Sequence, residues 1–359
     1  MKNWLDICKR NHKRCPTIQI HPLPTRVIDV GSASKAPRLV VENGKPAMWV
    51  ALSHCWGTAQ PLITETSNVE NHCREIALSK MPRTFRDAIF VTRALGIRYI
   101  WIDSLCILQD SKKDWLSESA RMEDVYRNAV LTISADAAPN SSTGLVHFSP
   151  KDEYPDHIIA TTTCYSSRHG VCGKIYFRGI QHKLPEQARG PLSSRGWTLQ
   201  EEILSPRILH FTQQSTFWRC VEGRTDEGCL LSESPHFENW FNAIYPDNGL
   251  DSYHRATNPL PRGCWFQRSY SYNNIMEYWY FSVLDPYISR RLTYETDKFI
   301  AIGGIARVLQ PHIDSKYKAG LWVDDIHRGL LWIPNEEGHT QGATRYEHFV
   351  APSWSWASL

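Results

Sequence analysis

Long apolar runs are missing from this chain. Nowhere does it approach the roughly 18 uninterrupted apolar residues that a membrane-crossing helix needs, because Arg93 and Arg98 break the best candidate. The opening residues 1–10, MKNWLDICKR, likewise lack the apolar stretch of roughly 7–15 residues that defines a secretory signal. A cytoplasmic protein with no membrane partner is the expectation. Surplus charge is also scarce: 40 Lys and Arg stand against 37 Asp and Glu, a net charge of +3. Only Lys9, Arg10, His12, Lys13 and Arg14 cluster, too short a stripe for binding by counterion release. Nucleic acid is therefore not expected as a partner, and the run reads as a solvated basic face. A Walker-type GxxxxGK(S/T) loop, internal repeats and low-complexity segments are absent too. Their absence argues against a receptor carrying its own nucleotide switch or repeat sensor and against disorder.

Cysteine, by contrast, is plentiful. Ten thiols in a chain without a secretory signal read as reduced and mostly buried. Cys8, His12 and Cys15 offer three potential zinc ligands, but neither their spacing nor a fourth ligand matches a structural site, so no metal is expected. With 359 residues, 42% hydrophobic and 21% charged, the chain has the composition of a folded globular protein and the length for one large core or two smaller ones.

Patterning divides the chain in three. Residues 1–45 predict a short amphipathic helix followed by a proline-rich arm that packs on a core; residues 46–212 form that core; residues 213–359 form an aromatic-rich extension with helical and β elements. From Trp49 the residues alternate, with Val50, Leu52 and His54 facing one way and Ala51, Ser53 and Cys55 the other, until Gly57 ends the strand. Residues 82–84, PRT, open a helix with Thr84 as its N-cap and Asp87 completing a shortened capping box. Phe85, Ala88, Ile89, Thr92 and Leu95 share one face of it, and Gly96 ends it. A strand follows over 98–104, then a helix over 115–127 capped by Asp114, then a strand over 129–134. Strand-like pieces recur at 157–164 and 174–177, a hairpin at 207–220, and helices at 270–284 and 297–309, while 233–270 is aromatic but irregular. Strand, helix, strand, helix, strand in succession implies right-handed crossovers and a parallel sheet. The fold class is α/β, a flavodoxin-like parallel-sheet core with β-rich insertions and a mixed α+β C-terminal extension.

Three blocks carry the chemistry: residues 49–57, WVALSHCWG; residues 95–110, LGIRYIWIDSLCILQD; and residues 195–201, RGWTLQE. Each sets polar residues at the end of an apolar strand or the start of a helix, where ligands of open α/β sheets gather; Ser53, His54, Cys55, Asp103 and Ser104 are so placed. His54 and Cys55 are strand neighbours on opposite faces and cannot pair as base and nucleophile. Cys106 is the alternative thiol partner of His54, with Asp103 orienting the imidazole; equally, His54 bonds a carbonyl and the thiols are packing. Asp103 either binds a ligand group, caps the next turn or pairs with Arg195. Glu118, at the edge of an apolar helix face, suits proton transfer if desolvated, or is a surface carboxylate favoured by the helix dipole. Arg195 and Gly196 open a helix at Trp197 and form an anion site, with Gln200 and Glu201 one turn in, contacting a ribose or amide or else holding the blocks together. Trp56, Trp101 and Trp197 stack on a planar base or fill a core.

The three blocks, in this order, closely resemble the fungal heterokaryon-incompatibility (HET) domain over about residues 50–202. Weaker likeness extends to residues 4–12 and 24–29 before the core, and 328–332 and 351–356 after it. The resemblance puts Ser53, His54, Trp56, Gly57, Asp103, Cys106, Gln109, Asp110, Glu118, Arg195, Trp197, Gln200 and Glu201 at the family's marked positions and implies one joint constellation. It implies an intracellular effector of fungal allorecognition and programmed cell death, activated by a protein partner or self-association. Through the family's distant similarity to TIR domains, it implies a pocket that binds or hydrolyses an NAD-type nucleotide, with NAD as substrate and no certain cofactor. TIR-like enzymes use a glutamate after the third strand; residues 134–144, SADAAPNSSTG, hold none, so Glu118 or Glu201 would have to serve. Two alternatives stand beside this: an enzyme acting on a small organic molecule by acid–base catalysis through His54, Asp103 and Glu118 or Glu201, and a non-catalytic interaction module.

Overall fold

In a computed structural model, residues 1–42, 44–57, 61–145, 158–166, 171–178, 190–213, 215–226, 272–333, 346 and 348–358 are described. Eight strands form one mixed sheet: β1 (Arg26–Asp29), β2 (Arg38–Val41), β3 (Trp49–Ser53), β4 (Tyr99–Trp101), β5 (Leu131–Ser134), β6 (Arg207–Phe211), β7 (Thr216–Cys220) and β8 (Arg224–Asp226). Their spatial order is β8-β7-β6-β5-β3-β4-β1-β2. The four central strands, β6, β5, β3 and β4, are mutually parallel. They are buried at every position, as expected of strands covered on both faces. The edges are antiparallel, β1 and β2 on one side and the β6–β7 hairpin with β8 on the other. Ser53 lies level with Ser134, so β3 and β5 end together.

The helices covering this sheet are α1 (Lys2–Asn11), α2 (Arg83–Ala94), α3 (Lys112–Ser119), α4 (Met122–Arg127), α5 (Gly196–Leu204) and α6 (Lys298–Ile313). α2 leads from β3 to β4, and α3 with α4 leads back across β3 to β5. Crossovers of one hand running in opposite directions put α2 and the α3–α4 pair on opposite faces. The strand alternation agrees: His54 meets the edge of Phe85 on α2, whereas the Trp49 indole donates to the carbonyl of Val125 on α4. One hydrophobic cluster runs from Leu5 to Ala357 through all these layers. Among the described residues no helix is long and apolar enough to cross a membrane.

Local chemistry departs from expectation at the helix starts. Pro82, not Thr84, is the N-cap of α2. The Thr84 hydroxyl and the Asp87 carboxylate instead accept the Gly144 and Leu145 amides, tethering the segment after β5. Ser111 rather than Asp114 caps α3, accepting the Asp114 amide. Asp114 turns inward to pair with Arg26 at 2.5 Å and to accept the Leu108 amide. A buried guanidinium needs an anion more than a solvated helix end needs a cap. The expected helix over 115–127 is two helices, parted at Ala120 and Arg121. The strand expected over 98–104 stops at Trp101, and Asp103–Cys106 wind one helical turn. Ile158–Ser166 and Val171–Arg178 pair as an antiparallel hairpin. The helix expected over 270–284 is Tyr272–Glu277 followed by a π-turn, Tyr278–Leu284; the irregular stretch 233–270 lies outside the described residues. The Trp356 indole donates to the Gly320 carbonyl, seating the last described turn on the core.

Candidate functional site

The parallel strands run β4-β3-β5-β6. The order reverses between β3 and β5, and a crevice opens beyond the carboxyl ends of strands whose connections part in opposite directions. A narrow cavity lies there, lined by Ser53 of β3, Thr132 and Ser134 of β5, Asp136 just beyond, Ile208 of β6, Leu192 and Ser193 from the turn before α5, and Thr198, Glu201 and Glu202 of α5 itself. Eight of its ten lining residues are polar, and it has room for about one water molecule.

Glu201 dominates its electrostatics. The carboxyl is buried, and loss of hydration pushes it up to about 7, against opposing help from the Ser53 hydroxyl, the Arg195 guanidinium and the Tyr126 hydroxyl. A carboxyl poised at neutral pH in a polar cavity is suited to give and take protons. Asp136 bonds His210 Nδ1 at 2.7 Å with both side chains buried, and the imidazole stacks on Phe217. Glu202, by contrast, is tied to Arg219 at 2.7 Å.

His54 is on the other face of the sheet and does not line this cavity. Burial holds its imidazole down to about 4 despite Asp103 3.7 Å away, so it is neutral at physiological pH. Asp103 accepts the Trp56 indole at 2.8 Å and the Ser104 amide at 2.7 Å. Arg195 joins the two faces: its guanidinium donates to the His54 carbonyl, bonds Cys55 and bears on Glu201. The first and third blocks thus meet at Arg195, and the second meets the first through Trp56 and Asp103.

Other expected site residues serve the framework. Cys106 is fully buried, and desolvation lifts its thiol to about 12, which disfavours the thiolate a nucleophile needs. Burial also raises the Cys55 thiol. Glu118 is buried on α3 beside Cys106 and shares no hydrogen bond or ion pair with Glu201, His54 or Asp103. The Ser104 hydroxyl donates to the Leu62 carbonyl. The Gly196 amide, expected to face an anion, donates to the Arg291 carbonyl at 2.7 Å. Trp197 packs edge-on to Trp115 and donates to Asp297, Trp101 is buried against Tyr126, and Gln200 accepts the Gly304 amide at 3.0 Å, docking α5 on α6. Gly57 has φ +81, and a Cβ there would stand 2.3 Å from Asn140 Cβ.

Asp136, His210 and Tyr126 were missed by sequence reasoning. Asp136 carries the same signal that marked Asp103, a carboxylate at the end of an apolar strand. His210 and Tyr126 carry no such signal, because their partners are 74 positions away.

No curated protein and no solved structure is detectably similar to the chain. The family model of the heterokaryon incompatibility protein (HET) matches residues 49–201, from the first residue of β3 to Glu201 itself, and the family points to a heterokaryon-incompatibility role. Residues 49–201 therefore match the HET domain, and most of the residues lining the cavity fall within that segment.

Proposed function

We propose that this protein is an effector of fungal allorecognition and cell death whose cavity cleaves an NAD-type nucleotide, with Glu201 as its acid–base group. The observation that carries the reading is a carboxyl poised near 7 at the crevice between β3 and β5. The strand order β4-β3-β5-β6 supports it, being the 2-1-3-4 order of flavodoxin-like sheets, which bind nucleotides at this crevice. In the reaction the ribosyl C1′–N bond breaks, and both its electrons leave with nicotinamide. Water adds its hydroxyl to C1′ and passes a proton to the Glu201 carboxylate. Arg195 offsets negative charge nearby, and Asp136, held by His210, faces the same cavity. Entry of a nucleotide requires residues 190–195 to move outward, since the cavity now holds about one water. That narrowness favours one rival, acid–base chemistry on a small organic molecule at the same carboxyl.

The test is nicotinamide release from NAD by the purified protein. Glu201→Gln should slow release by about 10²–10⁴-fold, while Glu118→Gln, outside the cavity, should leave it within about twofold of the parent, the scatter expected of a residue that touches no reacting group. Release that persists in Glu201→Gln overturns the assignment of the base. No release at high protein concentration overturns NAD cleavage and leaves the small-molecule reading.

A further inference from the structure

The cysteines of the N-terminal segment do not stand alone. Cys8 lies on α1, His12 is the C-cap of that helix, and Cys15 follows in the next turn. Residues four apart on a helix share a face, so Cys8 and His12 point the same way. The fourth group, invisible to local spacing, is Cys220, the last residue of β7, 208 positions from His12. The three sulfurs and one imidazole nitrogen all lie within 4.8 Å of one another. His12 Nδ1 is 3.3 Å from Cys220 Sγ and 3.6 Å from Cys15 Sγ. A tetrahedral zinc with Zn–S of about 2.3 Å and Zn–N of about 2.0–2.1 Å sets neighbouring ligand atoms about 3.5–3.8 Å apart. The two imidazole–sulfur distances are close to that spacing, and all four ligand atoms lie within 4.8 Å, so small side-chain shifts would close the cluster on one ion.

The surroundings fit a thiolate–metal centre. All three cysteines are buried. Arg207, itself only 3% exposed, donates from Nε to Cys8 Sγ at 3.3 Å and also to the Pro16 carbonyl. Burying a guanidinium against neutral thiols is costly. Three thiolates on a divalent ion leave one net negative charge, which that guanidinium offsets as an outer-shell partner.

We propose that Cys8, His12, Cys15 and Cys220 bind one zinc ion as a closed Cys₃His structural site that fastens the N-terminal segment to the end of β7. With all four positions filled by protein, the ion has no open coordination site for substrate, and its role is to hold the fold. Each cysteine loses its proton to solvent on binding, and the ion's charge does not change.

Elemental analysis of the full chain, purified without chelator, should find about one zinc per chain. Cobalt in its place should give thiolate-to-cobalt charge transfer and the intense visible bands of a tetrahedral site. Cys220→Ser should lower zinc to below about a tenth per chain while Cys73→Ser, outside the cluster, keeps it. A second reading, independent of whether Cys220→Ser folds, comes from the parent protein: a strong chelator should release the zinc, expose three further thiols to a thiol reagent and lower the unfolding midpoint. Zinc below about a tenth per chain in parent protein refolded with zinc, or a disulfide between any two of the three cysteines, overturns the proposal.

Discussion

Two buried groups near Arg195 store opposite pH dependences. Folded Glu201 keeps its proton to about pH 7, whereas the unfolded chain releases it near 4.5. The folded state holds more protons across that window, so this residue's contribution to stability falls as pH rises through it. Folded His54 gives up its proton near pH 4 and the unfolded chain near 6.5, so its contribution rises with pH through that window. Each effect is worth about 3 kcal/mol, and over pH 4.5–6.5 they cancel. Single substitutions should unmask them. Denaturant midpoints of Glu201→Gln should climb from pH 4 to 6.5 and then level, and those of His54→Gln should fall from pH 4.5 to 7. Curves parallel to the parent's in both variants would remove the buried-charge account of this site.

At the scale of elements, the loop after β3 is held by close approach. Gly57 and Gly96 both have positive φ, +81 and +77, but a Cβ at Gly57 strikes Asn140, and one at Gly96 meets nothing within 4 Å. Alanine at either position costs about 1–3 kcal/mol in backbone strain. Gly57→Ala should cost more than Gly96→Ala by a further 1 kcal/mol or so, the usual low end for overpacking. Asn140→Gly in the Gly57→Ala background should recover that excess, read from equilibrium unfolding. Equal losses for the two alanines would show that the loop yields freely, and the site's first block would then be less rigid than its packing implies.

Across the whole molecule, the site depends on distant chain. β6 takes β7 as its antiparallel neighbour, α5 docks on α6 through Gln200 and Gly304, and Arg290 donates to the Thr198 hydroxyl. A fragment of residues 46–212 lacks all three supports and both strands of the β1–β2 edge. It should unfold without a cooperative transition, seen as a broad melt and weak amide protection against exchange. A sharp melt near that of the full chain would show that the HET segment stands alone.

The parallel sheet was legible because its strands are apolar runs parted by helical periodicity, a pattern written in neighbouring residues such as 49–53 and 83–94. The three blocks were legible for the same reason, each ending an element in polar groups. What the chain order left undecided was which polar groups share a space. His54 and Ser53 are adjacent, yet strand alternation sends them to opposite faces, and only Ser53 lines the cavity with Glu201. Asp114 and Thr84 have cap-forming residue types, but buried Arg26 and the amides of Gly144 and Leu145 claim them. Sequence by itself determined most of the elements and the HET motif match, because periodicity and motif are local. Tertiary structure alone decided the pairing of Asp136 with His210, the desolvation that tunes Glu201 and the meeting of Cys220 with Cys8, His12 and Cys15, because those depend on burial and on contacts between residues far apart in the chain.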